Sequence, residues 1–481
     1  MKSQKDKNRF YKLTPFILFI ALGVFSFSQS DQKIEKPNIV FIFIDDMGWK
    51  DVGFMGAEYY ETPNIDKLAK NGMIFTQAYA NAPNCAPTRA CLLSGQYSPR
   101  HGVFTVARSD RGDPKDRRLI PIQNSTTVGL EHIFISEALK LAGYRSAAIG
   151  KWNVGNSPRA QGFDLDFPGI GFQGHFNSQG EYLADHLTDR AVDFIKENNP
   201  KKTGSPFFLY LSHYAVHTPI EAKEILIANY EKKQGVGCHN DPTYAAMIES
   251  VDQSVAKVNR ILEELGLSEN TLVIFFSDNG GHGTYTCQKP LRGGKGMLYE
   301  GGIRVPLFAY WPGKIRSGTT CEEPVISTDF YPTFLQLAGA KHPENYKLDG
   351  TSLVPLLNGE ESINRESLFW HFPAYLNSYD GMRDEARDTL FRTRPVSVIR
   401  KGDWKLLQFH EEWVLDKGRE NILKNNAVEI YNLAEDIGET NNLAAIQIDK
   451  RDELLDELIK WQQETDAPIS TEINSKYQRN D

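Results

Sequence analysis

The sequence predicts an α/β fold in which a large, mostly parallel mixed sheet lies between two helical layers, followed by a small C-terminal antiparallel-sheet subdomain. The first observation behind this is a set of apolar runs: Asn38–Ile44 (NIVFIFI), Ser146–Ile149 (SAAI), Phe207–Leu211 (FFLYL) and Leu272–Phe276 (LVIFF). Continuous runs of this length read as strands buried on both faces, as in a parallel sheet covered by helices. The second is the helical patterning between them, over Pro63–Asn71, Ile133–Ala142, Leu183–Glu197 and Tyr244–Leu265. Such alternation is the signature of an α/β layered architecture. The third is a change of texture after about Arg365. Val396–Ile399, Trp404–Phe409 and Ala427–Tyr431 read as short strands separated by turns such as Lys401-Gly402-Asp403, and an amphipathic helix closes the chain over Lys450–Thr465. The expected division is residues 31–365 for the α/β domain and 366–481 for an α+β subdomain.

Residues 1–30 stand apart as an export signal. Lys2, Lys5, Lys7, Arg9 and Lys12 precede the apolar stretch Phe16–Phe27, and Ser28 and Ser30 come after it with small-x-small spacing. The stretch is too short to cross a hydrocarbon core of about 30 Å comfortably, and no cysteine lies close enough behind it for a lipid anchor. The mature protein is expected to begin near Asp31, soluble and periplasmic or secreted. The 481 residues carry 40% hydrophobic and 24% charged side chains, ordinary globular values. A net charge of −8 argues against general affinity for nucleic acid or anionic membranes. An anionic substrate must then be captured by local basic residues.

Each apolar run exits into polar residues of specific chemistry. The first leads into Asp45-Asp46, the second into Gly150-Lys151, the third towards His213 and His217, and the fourth into Asp278-Asn279. In open α/β sheets ligands bind beyond the carboxyl ends of the strands. Asp45, Asp46, Asp278 and Asn279 offer the oxygen donors that a hard cation prefers, Ca²⁺ ahead of Mg²⁺. Cys85-Ala86-Pro87-Thr88-Arg89 adds a cysteine at a helix start, where Pro87 suits the first turn and Arg89, four residues on, shares a face with Cys85. Free amides at such a start favour an anion.

Residues 85–95, running on through Leu93-Ser94-Gly95, resemble the first signature of the formylglycine-dependent sulfatases of the alkaline phosphatase superfamily. The stretch Gly143 to Trp152 (GYRSAAIGKW) is similar to the second. Leu291-Arg292-Gly293-Gly294-Lys295-Gly296, followed by Tyr299 to Pro306 (YEGGIRVP), also resembles the family, and the likeness spans about Pro37 to Leu443 in the family's order. The resemblance implies the superfamily's α/β/α sandwich and hydrolysis of a sulfate ester by S–O cleavage. It implies that a maturation enzyme oxidises Cys85 to formylglycine, whose hydrated aldehyde attacks sulfur through one hydroxyl and eliminates sulfate through the other. It also implies that residue 85 and the four oxygen donors hold the metal. Arg89, Lys151 and Lys295 would meet sulfate charge, and His217 would protonate the leaving alcohol. With Cys85 converted, Cys91, Cys238, Cys287 and Cys321 allow three pairings or none.

One position departs from the family pattern. A histidine usually comes after Gly-Lys-Trp, and here Asn153 stands in its place. Asn can hydrogen-bond but cannot accept the proton at neutral pH, so a metal-bound carboxylate or His282 is expected to take it. Substrate contacts are less defined: His175 and His371 and the arginine-rich stretches 108–118 and 383–394 are candidates, the stretches reading equally as solvated charged loops, and the aromatics Trp370, Phe372 and Tyr375 could stack on sugar rings or pack a core. Export and family habit point to a sulfated glycan, an algal polysaccharide such as ulvan, carrageenan or fucoidan, or its oligosaccharides. Glycosaminoglycans come next. A phosphoester or phosphonate hydrolase of the same superfamily and a non-catalytic glycan-binding relative are the alternatives.

Overall fold

The computed structural model describes residues 36–379 and 385–478, so the export signal of residues 1–30 and Arg383 lie outside the described residues. Asn38–Ile44 forms the central strand, β1. Ile39, Phe41 and Phe43 enter one apolar core, and Val40, Ile42 and Ile44 enter another on the opposite face. Strand side chains alternate in direction, so a strand with cores on both sides must be apolar throughout.

The remaining strands of this sheet are β2 (Met73–Phe75), β3 (Arg145–Gly150), β4 (Leu165–Phe167), β5 (Phe207–Ser212), β6 (Thr271–Ser277), β7 (Leu307–Tyr310) and β8 (Thr319–Cys321). Their order is β8-β2-β7-β6-β1-β5-β3-β4. Only β7 runs antiparallel to its neighbours; the other pairings are parallel. Helices α1 (Pro63–Lys70), α4 (Leu183–Glu197) and α5 (Pro242–Glu264) cover the Val40 face. Helices α2 (Cys85–Ser94), α3 (Ile135–Leu141) and α6 (Phe330–Ala338) cover the Phe41 face. This is the expected α/β/α sandwich.

Local chemistry moves some boundaries. Helix α5 begins at Pro242 rather than Tyr244, because the Asp241 side chain accepts the Tyr244 N–H at 2.9 Å and Pro242 fits the first turn. Helix α3 begins after Phe134, whose backbone N–H is taken by Glu137 Oε2 at 2.6 Å.

The C-terminal sheet is antiparallel in the order β9 (Ser367–Phe372), β10 (Val396–Lys401), β11 (Trp404–Phe409) and β12 (Val428–Asn432). Helix α7 (Ile448–Glu464) presses Leu454, Leu455, Leu458 and Trp461 into the core that this sheet lines. Strand β9 is an addition to the strands expected from sequence, and in and just after it the aromatics resolve in favour of core packing over sugar stacking. Trp370 and Phe372 are buried, and the Trp370 indole N–H donates to Ala80 O at 2.8 Å. Tyr375 is buried as well, its hydroxyl donating to Glu411 Oε1 at 2.6 Å.

A buried ionic cluster ties this sheet to the 291–306 segment. Lys405 Nζ on β11 lies 3.0 Å from Glu300 Oε1 and 2.8 Å from Glu439 Oε1, all three side chains fully buried. Tyr79 donates to Glu300 Oε2 at 2.7 Å, and the Glu300 backbone N–H donates to Glu439 Oε2 at 2.6 Å. Of the cysteine pairings left open by the sequence, Cys238–Cys287 is the one present, while Cys91 and Cys321 are buried thiols.

Candidate active site

Because β3, β5, β1 and β6 run parallel side by side, their carboxyl ends open onto one edge. Asp45 and Asp46 leave β1, Lys151 leaves β3, His213 and His217 come after β5, and Asp278 and Asn279 leave β6. Gly150 makes one of these exits possible. Its φ is +101°, and a Cβ there would sit 1.9 Å from Ser212 O. Without that Cβ the chains approach closely, and the Lys151 N–H donates to Ser212 O at 2.8 Å. Asp46 takes φ 65°, an uncommon conformation for a residue with a side chain, and directs its N–H to Asp278 Oδ1 at 3.1 Å.

Donor atoms of Asp45, Cys85 and Asp278 lie within 4.8 Å of one another, as do those of Asp45, Asp46 and His217. Lys295 Nζ is 2.6 Å from Asp46 Oδ2, and Lys151 Nζ pairs with Asp45 Oδ2. The glycine-rich segment carrying Lys295 is tied to the loop before α2: the Gly296 N–H donates to Pro83 O at 2.7 Å, and the Lys295 N–H to Gly281 O at 2.9 Å. Cys85, the first residue of α2, is thereby held against the carboxylates.

Arg89 behaves differently from the expectation that it meets sulfate. Its guanidinium is fully buried, 2.6 Å from Asp278 Oδ2. It also donates to Lys151 O at 3.0 Å, to Tyr210 OH at 3.3 Å and to the Ser212 hydroxyl, and it lies over the Phe43 ring. Arg89 thus fixes Asp278 and the β3 exit from behind. Tyr210 and Ser212, which hold it, are missed by the sequence reading, although Ser212 is the last residue of β5 and lies level with Phe43, whose ring Arg89 covers.

The donor set fits a hard divalent cation. Asp45, Asp46, Asp278 and Asn279 are fully buried, and Asp45 Oδ1 and Asn279 Oδ1 have no hydrogen-bond partner. Buried polar atoms are rarely left so, and an oxygen-coordinating ion is the partner that these atoms and charges match. Burial alone would raise Asp45, but Lys151, then His217 and Arg89, hold it well below the usual carboxylate range. Asp278 is pushed up to about 7 by burial and by Asp45, against the pull of Arg89. Burial raises the Cys85 thiol despite Lys151.

The histidines divide. His217 faces the site with Nε2 3.8 Å from Asp46 Oδ2, while its Nδ1 lies 2.6 Å from Thr218 O. His175 supports it, with Nε2 2.9 Å from His217 O. His282 stacks on Tyr379 with ring centroids 4.3 Å apart; burial, outweighing Asp46, lowers it to about 4, so it is neutral at neutral pH. His213 is buried against Ser254 Oγ at 2.9 Å, as a structural residue. His371 is a correction: its nitrogens meet Ser397 Oγ on β10 at 2.8 Å and Pro468 O, just beyond α7, at 3.0 Å, leaving neither for a substrate. Asn153 Nδ2 lies 3.4 Å from Cys85 Sγ, on a backbone with φ 60°.

Comparison with known proteins agrees with this geometry. The family model described as Sulfatase matches residues 37–340, and that described as N-sulphoglucosamine sulphohydrolase, C-terminal, matches residues 293–464. A sulfatase of Formosa agariphila is 32% identical over 92% of this chain and 90% of its own length. Mouse N-acetylgalactosamine-6-sulfatase is 32% identical over 70% of this chain and 69% of its own. The crystal structure of Ps i-CgsB, also solved in complex with k-i-k-neocarrahexaose, superposes with a TM-score of 0.73 at 30% identity, covering 91% of this chain and 95% of that one. With the family model spanning more than half of its length, the chain belongs to the sulfatase family of the alkaline phosphatase superfamily, and it is a sulfuric ester hydrolase.

Proposed function

We propose that the protein is an exported sulfatase that removes sulfate from a sulfated algal polysaccharide or its oligosaccharides, using a formylglycine made from Cys85. The observation that carries this reading is the juxtaposition of Cys85 with Asp45 and Asp278 at one sheet edge, flanked by Lys151 and Lys295. The glycan assignment draws on the Ps i-CgsB complex with neocarrahexaose and on the relatives that act on sulfated sugars. Export rests on the composition of residues 1–30.

In this reading Asp45, Asp46, Asp278 and the Asn279 amide oxygen would hold Ca²⁺, whose charge would offset the buried carboxylates and polarise a sulfate oxygen. The chain's own residues do the rest. Arg89 keeps Asp278 in place, and Lys151 and Lys295 place two cations where sulfate charge gathers. His217, its Nδ1 engaged by Thr218 O, presents Nε2 to the leaving alcohol. Conversion of Cys85 would oxidise its thiol-bearing carbon to an aldehyde carbon, with loss of sulfur and two hydrogens and gain of oxygen, through a maturation enzyme and its oxidant. Asn153 then offers its amide N–H to that side chain.

Sulfate release from a panel of sulfated algal glycans, glycosaminoglycans and a phosphodiester, with calcium and after chelation, tests the reading alongside mass analysis of residue 85. Release from one glycan, dependent on converted residue 85, supports it. Phosphodiester turnover without sulfate release overturns it. Asn153→His is expected to change sulfate release far less than the ~10²-fold that a missing general base is worth. Histidine tolerates the left-handed backbone at residue 153, so a gain of that size in single-turnover sulfate release would show that Asn153 impairs the natural enzyme.

A further inference from the structure

The metal donors of this site come from two loops that must hold still relative to one another. Asp45 and Asp46 leave β1, Asp278 and Asn279 leave β6, and the strand ladder pairs Ile44 with Ser277 just before them. Past that rung the ladder no longer sets the spacing, yet a hard cation needs oxygens from both loops at once. Asp51, fully buried, lies where the loops meet again. Its Oδ2 accepts the Gly48 N–H and the Tyr244 hydroxyl, each at 2.7 Å. Its Oδ1 accepts the Thr286 hydroxyl at 2.6 Å and the Gln288 side-chain N–H at 3.3 Å. Gly48 belongs to the loop after Asp46, and Thr286 and Gln288 belong to the loop after Asn279.

These donors are themselves fixed. Gln288 Oε1 accepts the Lys50 N–H at 2.7 Å, which sets the end of its amide that faces Asp51. Cys287, between Thr286 and Gln288, is bonded to Cys238, and its carbonyl lies 2.9 Å from His239 Nε2, itself 4.0 Å from Asp51 Oδ1. Tyr244 Oη is also 3.3 Å from Asp46 O. The cluster backs Lys295 too: a Cβ on Gly281 would lie 2.4 Å from Thr286 Cγ2 and 2.8 Å from Gln288 Nε2, and Gly281 O takes the Lys295 N–H. A buried carboxylate is costly unless its oxygens are met, and hydrogen bonds to an ionised acceptor are stronger than neutral ones. Joining the loops takes an acceptor at both oxygens. Asparagine offers one, so either the Gly48 N–H or the Gln288 N–H would face its NH₂ group.

We propose that Asp51 is a positioning residue for the metal site: through Gly48, Tyr244, Thr286 and Gln288 it holds the Asp45-Asp46 loop against the Asp278-Asn279 loop in the arrangement that calcium binding requires. The inference rests on the sulfatase reading of the site and deepens it.

The test is calcium binding, titrated by calorimetry into protein stripped of metal by chelation, so it needs no turnover. Asp252 supplies the control. It is a buried carboxylate that caps α1, accepting the Asn64 and Ile65 N–H groups at 2.9 and 2.8 Å. Asp51→Asn is expected to weaken calcium binding by about tenfold to a hundredfold, the usual loss when a partner behind metal ligands is removed. Tyr244→Phe, which keeps the carboxylate but removes one of its donors, should weaken it in the same direction and by less. Asp252→Asn should lower the melting temperature and leave calcium affinity at the parent's value. Sulfate release by Asp51→Asn should recover as calcium is raised, which a general loss of structure would not allow. Unchanged affinity in Asp51→Asn, or an equal loss in Asp252→Asn, overturns the proposal; should Asp51→Asn fold poorly, unchanged affinity in Tyr244→Phe overturns it instead. A parent that binds calcium but releases no sulfate from any glycan counts against the proposed function, and the affinities still decide the role of Asp51. A parent that binds no divalent cation overturns both.

Discussion

The Cys85→Ala protein is expected to fold as the parent does and to release sulfate more slowly by a factor on the order of 10⁴ or more, the loss typical of removing a covalent nucleophile. Burial is the starting point. Cys85 is 2% exposed, and burial raises its thiol above the ordinary value despite the nearby Lys151. A thiol so placed stays protonated at neutral pH and is a weak nucleophile. Activity should therefore track the converted fraction of residue 85, and a parent preparation with unconverted cysteine should match Cys85→Ala. Binding of inorganic sulfate, held by Lys151, Lys295 and the metal site, should survive in both. Appreciable turnover in Cys85→Ala would assign the chemistry to another group.

The second large effect concerns stability. Lys405→Ala is expected to destabilise the fold by about 3–5 kcal/mol, the cost of removing one partner from a buried ionic cluster. Glu300 and Glu439 would be left facing each other without their shared cation. The pH dependence has a definite sign. In the parent, burial works to raise Glu300, but Lys405, then Arg304 and Arg400, hold it well below its ordinary value. A depressed carboxyl contributes stability above its unfolded pKa and loses it as pH falls. Glu439 is already pushed up to about 7 by burial against Lys405. A raised carboxyl contributes stability that is lost as pH rises towards its folded pKa. Without Lys405 both carboxyls move upward. The gap in melting temperature between parent and variant should then be wider at pH 8 than at pH 5.5. A gap independent of pH would show that lost packing, and not charge, sets the cost.

The parts of the molecule legible in the sequence are those written locally. A strand covered on both faces must be apolar at every position, and so β1, β5 and β6 stand out with boundaries correct to about one residue. Residues at strand exits share an edge once the strands are parallel, which brings Asp45, Asp46, Lys151, His217, Asp278 and Asn279 together from topology alone. What the sequence leaves open depends on which distant surface a side chain meets. The Cys85 to Arg89 spacing puts both on one side of α2, but β6 determines that Arg89 meets Asp278. His371 resembles a possible ligand only while its strand, β9, goes unrecognised; once β9 pairs with β10, Ser397 and Pro468 occupy the ring. The Cys238–Cys287 pairing depends on how the segment before α5 meets the loop after Asn279, which no local pattern encodes.

The seating of Cys85 also sets an order of events. In the finished fold Cys85 is buried, its sulfur within 4.8 Å of donor atoms of Asp45 and Asp278, and the loop before it is tied to the Lys295 segment by the Gly296 to Pro83 bond. A residue so enclosed is out of reach of a macromolecular catalyst, so the oxidation we propose would have to happen before this part of the chain folds. Folding and maturation would then compete for the same molecule, and a chain that folded first would be trapped as a correctly shaped but inert species. The specific activity of a preparation would therefore record the outcome of that race, and slowing synthesis or supplying more maturation enzyme should raise it with no change in the folded structure.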